Sequence, residues 1–441
     1  MTLSPLMVTV VVFGFMLLVM TTGLPLTFAL GVTGMFATFL LWGPEAMVSV
    51  YLNAFGVAGA SILVALPLFI FMGIMLQKSG IADDLYQMIY VLMGGVRGGL
   101  AMGTVAICAI IAAMVGISGA ATVAMGIIAL PSMLERGYDK QMVTGCIQAG
   151  GALGFLIPPS VLMIMFGFLG LTSPGRLFAG GLLPGIMLAL LYIIYIGVRC
   201  YFQPHLGPAR ATEKQVNWGE KAKALRALIL PGVLIFSVLG LIFLGVTSIT
   251  EASAVGAFGA VVCAAIHRRL SWRMLHECLM QTVKLMGMVM WIMISAAFFS
   301  KIYIGLGAPT MLRELIVELG ASPYLVLTFF LLSFFIMGMF LDDTAILFIT
   351  VPLYVPVIVS LGFDKVWFGI LFILSMQTAF LTPPFGYNLF YMKAIVPPEI
   401  TLVDIYRSII PFVILQTIGL ILVVVFPQIA LFLPSLVFGG A

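Results

Sequence analysis

Apolar runs long enough to cross a ~30 Å hydrocarbon core, which takes about 20 residues, recur from one end of this sequence to the other. The plainest are 5–22, 25–42, 60–77, 182–200, 229–247, 252–266 and 409–433. Only 8% of the residues are charged and 63% are hydrophobic, against roughly a quarter charged in an ordinary soluble domain. A soluble surface cannot be dressed with so little charge, so the membrane is the solvent along the whole chain, and an all-α polytopic membrane protein is expected. The first segment lacks a basic n-region and Met1–Pro5 runs straight into a spanning stretch, which reads as a span and not as a cleavable signal. Cys108, Cys146, Cys200, Cys263 and Cys278 are scattered with no CxxC spacing and read as packing residues. His205, His267 and His276 lie in or beside charged loops and read as solvated, not as ligands. The net charge of +4 is modest and concentrated in loops, which points to membrane orientation and away from nucleic acid.

A polar interval at 201–228, with Arg210, Lys214, Glu220, Lys221, Lys223 and Arg226, divides the chain near its middle and reads as a cytoplasmic linker. It separates a half at 1–200 from a half at 229–441. A second basic cluster, His267-Arg268-Arg269 with Arg273, follows two spans later, and both clusters belong inside by the positive-inside rule. Arg97 before the stretch 98–135, with Arg136 and Lys140 after it, places both of its ends inside as well, as a re-entrant hairpin requires. At an offset of 225 residues, Pro131, Gly137, Asp139, Lys140, Phe155, Leu156, Pro158 and Pro159 fall on Pro356, Gly362, Asp364, Lys365, Phe380, Leu381, Pro383 and Pro384. The matching pieces are a hairpin at about 98–135 and a broken helix at about 140–170, then a hairpin at about 322–360 and a broken helix at about 365–395. Counting crossings puts the second Gly-Phe-Asp-Lys turn outside. The repeats are therefore inverted, an arrangement in which secondary transporters bind at the midplane between discontinuous helices.

Proline has no N–H to pair with the carbonyl four residues earlier. Pro158 and Pro159 free the carbonyls of Gly154 and Phe155, and Pro383 and Pro384 free those of Ala379 and Phe380. Unpaired carbonyls in hydrocarbon cost several kcal/mol each. A dehydrated Na⁺, which prefers oxygen ligands, fits that need, with Ser118, Thr122, Thr344, Thr378 and Thr382 supplying hydroxyls and Asp342 and Asp343 negative charge. Two Na⁺ sites, one per repeat, are the expectation. Asp343 is placed near the ion; Asp342 remains open between that role and capping the helix that starts at Thr344. The half-helix N-termini suit an anionic substrate group, so an organic acid is the expected substrate. Thr122, Gln148, Gln377 and Asn388 are candidates for contact with substrate, with interhelical glue as the equal alternative for the three amides. Lys301 is read as snorkelling to the interface, with the substrate path as its alternative.

The chain resembles the large membrane subunit of tripartite ATP-independent periplasmic (TRAP) transporters over nearly its whole length. The most specific segments are Leu66-Pro67 through Gly73 leading to Ser79-Gly80-Ile-Ala-Asp-Asp-Leu85, then Ser118-Gly-Ala-Ala-Thr122 and Gly154-Phe-Leu-Ile-Pro-Pro-Ser160. Gly245-Val-Thr-Ser-Ile-Thr-Glu251-Ala-Ser-Ala and the Thr-Pro-Pro-Phe-Gly run from Thr382 complete them. The resemblance implies an inner-membrane, elevator-type uptake system driven by a Na⁺ gradient. Its implied partners are a small four-helix membrane subunit and a periplasmic substrate-binding protein that delivers the organic acid anion. On matching positions it implies that Ser118, Gly154, Ile157 and Pro159 share one Na⁺, and Asp343, Thr344 and Thr382 another. Where such proteins often carry Ser or Asn at the first tip, this chain has Gly119-Ala120-Ala121, which shifts ligation there toward backbone carbonyls.

Two other classes are weaker. An ATP-driven permease needs a nucleotide-binding partner, and no GxxxxGK[ST] loop occurs in this chain. An intramembrane enzyme needs a Ser-His dyad, HExxH or two aspartates on separate spans; no histidine is mid-span, and the adjacent Asp342 and Asp343 cannot face each other as such a dyad does.

Overall fold

The computed structural model describes residues 5–24, 26–116, 118–209, 217–305, 307–318, 320–384 and 386–439, and among them all regular structure is helical. The first half contains α1 (Pro5–Thr21), α2 (Leu26–Trp42), α3 (Val48–Ala58), α4 (Ala65–Lys78), α5 (Ile81–Met93), α6 (Gly99–Val115), α7 (Ser118–Glu135), α8 (Lys140–Ala152), α9 (Val161–Leu169) and α10 (Pro174–Phe202). A short α11 (Trp218–Ala224) follows. The second half contains α12 (Ile229–Phe243), α13 (Ile249–Ile266), α14 (Trp272–Gly305), α15 (Ala308–Glu318), α16 (Pro323–Gly338), α17 (Asp343–Ser360), α18 (Lys365–Ala379), α19 (Tyr387–Ile395), α20 (Leu402–Val425) and α21 (Gln428–Phe438).

The 225-residue offset, visible in the sequence over one turn and one break, extends through nearly every element. Helices α17 and α18 begin 225 residues after α7 and α8, and α19 begins 226 residues after α9. The pair α12 and α13 overlies α1 and α2, α15 overlies α5, and α20 overlies α10. The single long α14 covers the places of both α3 and α4. The repeated turn has a local cause. Gly137 and Gly362 take positive φ (77° and 85°) after a helix end, where a Cβ would be strained. Asp139 and Asp364 then cap the next helix: Asp139 Oδ1 accepts from Gln141 N and Met142 N at 2.9 and 3.0 Å, and Asp364 Oδ1 from Trp367 N at 2.8 Å.

Each hairpin, α6–α7 and α16–α17, packs on the first part of its own broken helix, α8 or α18. Its second arm crosses to the far part of the other broken helix, so that α7 lies on α19 and α17 lies on α9. Phe155 and Phe380, equivalent residues of the two repeats, meet edge to face with ring centroids 4.8 Å apart. A residue can touch its own mate only beside the symmetry axis, so the pseudo-twofold axis passes between the two breaks. Around this inner group α2, α4, α13 and α14 pack against one another, with α14 also reaching α17.

Among the described residues, seven helices are long and apolar enough to cross a membrane by length and composition, and six shorter apolar helices accompany them. One expected span is divided. The run 409–433 becomes α20 ending at Val425 and α21 starting at Gln428, because Pro427 disfavours helical backbone at Phe426, which sits at φ −120°, ψ 77°. The linker residues 210–216 and the side chain of Ser118 lie outside what is described. Buried Trp367 on α18 donates its indole N–H to the Val423 carbonyl on α20 at 2.9 Å. Trp367→Phe keeps most of the packing and leaves that carbonyl unpaired. It should lower thermal stability in detergent by about 1 kcal/mol, and an unchanged unfolding temperature would show that the bond contributes nothing.

Candidate functional site

The two hairpin tips and the two helix breaks converge. At the first break, α8 tightens into a 3₁₀ turn over Leu153–Phe155, and Ser160 caps α9 with its hydroxyl accepting from Met163 N. The amides of Leu156 and Ile157 both turn back to Leu153 O, at 3.0 and 2.9 Å. Among the described residues this leaves the Gly154 and Phe155 carbonyls without a backbone amide partner, and both residues are buried. The tip facing them is bound to the break by backbone: Val161 N donates to Gly116 O at 3.3 Å. Gly116 itself has φ 69°, and a Cβ there would overlap the Pro159 carbonyl. Ile157 lies against Gly185 of α10, and Ser118 opens α7 beside the tip.

At the second break the freed carbonyls are largely recaptured. Ala379 O accepts from Thr382 N at 3.0 Å and Phe380 O from Asn388 N at 3.3 Å. The expectation of bare carbonyls is thus met by the amide pattern of the first break and not by that of the second, where Thr382 within the break and Asn388 in the first turn of α19 each return an amide. Thr382 Oγ1 donates to Thr378 O at 2.8 Å, which spends its proton and leaves its oxygen lone pairs available. At the facing tip, Asp342 is the N-cap of α17, its carboxylate accepting from Thr344 N at 3.2 Å, while Asp343 Oδ1 accepts from the same amide at 2.8 Å. Capping occupies one oxygen of each side chain. The close approach of this hairpin to its break requires glycine at Gly338, where a Cβ would overlap Ala379.

A cavity of about 170 Å³ lies where these parts meet, lined from the first repeat by Gly116, Gly119 and Phe155 and from the second by Asp342, Asp343 and Thr344. Phe380 and Tyr391 join them, and Ile70 of α4 with Leu285, Met288 and Val289 of α14 close the remaining wall. Two carboxylates reach this cavity and, among its lining residues, no lysine, arginine or histidine does.

The structure does not bring the remaining candidates to that lining. Thr122 is buried against Gly151 of α8. Gln148 donates to Thr144 O at 3.0 Å and to Ser408 Oγ at 3.4 Å, and Asn388 Nδ2 reaches Gln148 O at 3.3 Å, so these two amides join α8, α19 and α20. Gln377 is fully buried within α18. The contacts of Gln148 and Asn388 are those of the interhelical alternative. Sequence reasoning passed over Tyr391, whose ring sits where a Cβ on Gly119 would fall, and the apolar residues of α14. The repeat match at Phe155 and Phe380 was the one available signal for the two central rings.

Comparison with known proteins settles the family. The sequence profile described as "Tripartite ATP-independent periplasmic transporter, DctM component" matches residues 13–429. The chain belongs to this family. It is 32% identical over 413 residues to the C4-dicarboxylate TRAP transporter large permease protein DctM of Pseudomonas aeruginosa, covering 92% of this chain and 94% of that protein. It is 30% identical to the ectoine TRAP transporter large permease protein TeaC of Halomonas elongata, over 94% and 96% of the two chains. The isethionate TRAP transporter permease protein DctMQ of Oleidesulfovibrio alaskensis is 28% identical, and the match covers 96% of this chain but 66% of that longer protein. In fold, the YdaH transporter of Alcanivorax borkumensis superposes with a TM-score of 0.64 at 16% identity, over 98% of both chains. The protein is therefore a TRAP large permease subunit of the inner membrane, with an all-helical fold shared with the YdaH transporter.

Because Gly116 combines a left-handed backbone with direct contact on the first break, Gly116→Ala adds roughly 1–2 kcal/mol of backbone strain and a steric overlap. The TRAP permease variant should still insert in the membrane but lose most of its uptake; wild-type uptake from the variant would show that the tip need not seat on the break.

Proposed function

We propose that this subunit carries an organic acid anion inward together with Na⁺, one ion held at each pairing of hairpin tip and helix break. The supporting observation is the electrostatic imbalance of the central cavity, which holds Asp342 and Asp343 and no cationic side chain among its lining residues. An organic acid anion meets repulsion there until cations arrive. Sodium bound at Asp343, Thr344 and Thr382, and at the uncovered carbonyls of the first break with Ser118, Gly154, Ile157 and Pro159, supplies that charge. Coupling follows without any further device: each ligand raises the affinity for the other by the same factor.

The elevator motion fits the division into a crossed inner group and an outer group of α2, α4, α13 and α14. The cavity faces α14 at Leu285–Val289. That stretch begins eight residues, or roughly 12 Å, from Glu277, which pairs with Lys78 at 3.0 Å beside the basic turn assigned to the cytoplasmic side. The opposite end of α14, at Gly305, lies farther away. On this reading the arrangement is the inward-facing one. A small membrane subunit and a periplasmic binding protein complete the system; the DctMQ relative, half as long again, is consistent with such a partner fused to the permease.

The test is uptake by vesicles containing this chain, its small subunit and the loaded binding protein. Uptake should collapse when a sodium ionophore dissipates the gradient and should ignore ATP; sodium-independent uptake would refute the reading. Thr382→Ala should raise the half-saturating Na⁺ concentration severalfold. Asp343→Asn, which removes one of the two carboxylate charges, should leave substrate binding that differs less between sodium and choline media than in the wild type. Sodium dependence unchanged in both variants would move the second ion elsewhere.

A further inference from the structure

Past the central cavity, α14 continues outward along a second cavity of about 480 Å³, which it forms with α17 and the turn following α9. The walls are mostly apolar, through residues such as Val351, Val355 and Ile304, and two lysines enter them: Lys301 of α14 and Lys365 from the first turn of α18. Neither lysine forms an ion pair among the described residues. The repeat supplies an internal control. Lys140, the mate of Lys365, is neutralised by Asp404 at 2.8 Å. Leu76, the mate of Lys301, lines a cavity of only about 10 Å³ with no charged side chain around it. The fold repeats at the two faces and the charge does not. Two unpaired ammonium groups facing one apolar-walled space repel each other, and an anion between them relieves that repulsion with charge-assisted hydrogen bonds.

We propose that Lys301 and Lys365 form an outer anion site that takes a carboxylate group of the substrate before it reaches the central cavity. This rests on the reading of the chain as an importer of an organic acid anion. Lys301 lies 12 to 16 residues beyond the α14 stretch that now faces the central cavity, roughly 20 Å at 1.5 Å per residue. As the inner group slides outward along α14, the central cavity approaches Lys301, while Lys365 travels away with α18. The site is whole in the present arrangement and opens as the cavity arrives. The anion is thus passed from two cations to one beside a sodium-loaded cavity. At the inner end of its travel the same cavity faces Leu285, Met288 and Val289, which hold no anion.

The experiment uses the complex of this chain with its small subunit in phosphatidylcholine nanodiscs. Amine acetylation at each lysine is read by mass spectrometry with succinate, its uncharged diethyl ester, or sulfate present. Succinate should slow acetylation of Lys301 and Lys365 severalfold and leave exposed Lys223 unchanged; the ester should protect neither. Lys365→Gln should abolish the protection of Lys301. No protection, or equal protection by sulfate and so an adventitious ion only, would overturn the proposal. So would protection without succinate in discs containing phosphatidylglycerol, which would assign the site to a lipid headgroup. In vesicles, Lys301→Gln with Lys365→Gln should raise the half-saturating concentration of loaded binding protein about tenfold, the loss of one charge-assisted bond, with maximal rate retained. An unchanged half-saturation counts against the site even where sodium-driven uptake is normal; loss of sodium dependence in the unmodified protein instead undermines the transport reading itself.

Discussion

Backbone polar groups cannot be left bare inside an apolar fold, and the architecture is arranged around the two places where this chain interrupts its helices. A Pro-Pro pair removes two amides from each broken span, so some other group must face the carbonyls it frees. The nearest available structure is the tip of a hairpin that itself ends one helix and begins another. Gly116 on one side and Gly338 on the other let each tip seat closely on its break: Val161 N donates to Gly116 O, and a Cβ at Gly338 would overlap Ala379. The crossing of α7 onto α19 and of α17 onto α9 ties each solution to the other repeat. The two halves are therefore packed into one inner group at their breaks.

The two breaks nevertheless solve the problem differently. In the second, Thr382 N and Asn388 N return to the Ala379 and Phe380 carbonyls, and charge is brought by two aspartates. In the first, Leu156 and Ile157 both spend their amides on Leu153, and the facing tip carries no carboxylate. A cation at the first break would be held by backbone dipoles, and one at the second by a formal charge. The second tip therefore contributes more to the electrostatics of the central cavity, because Asp342 and Asp343 line it directly.

Much of this was legible in the sequence where a residue type has one physical meaning. Proline at a fixed offset marks a break, Gly-aromatic-Asp-Lys marks a turn with its cap, and long apolar runs mark spans. The turn geometry at Gly137 and Gly362 and the caps at Asp139 and Asp364 follow directly from those letters. The full extent of the repeat was hidden because α14 replaces two helices of the first half by one, and outer helices conserve only apolar character between the repeats. Side-chain direction was also invisible. Gln148, Gln377 and Thr122 sit within a helical turn or two of the breaks, yet a rotation about the helix axis separates a residue that lines a cavity from one that joins helices. Leucine and methionine on α14 carry no signal distinguishing a cavity wall from a lipid-facing surface.

Inverted repeats explain how one chain can present two alternative arrangements, since each half can take the conformation of the other. They do not explain direction, because a symmetric molecule works equally well both ways. Net direction is set by the driving gradient, and what the repeat fails to copy sets how differently the two faces treat charge. The uncopied charges include the carboxylates Asp342 and Asp343 at one tip, the ion pair of Lys140 with Asp404 where Lys365 has none among the described residues, and Lys301 where the other half has Leu76. All concern charge and none disturbs the helices. A symmetric scaffold carrying a sparse set of unmatched charges also accounts for why so apolar a chain keeps these few ionisable groups near its hairpin tips and breaks, where each is expensive to retain.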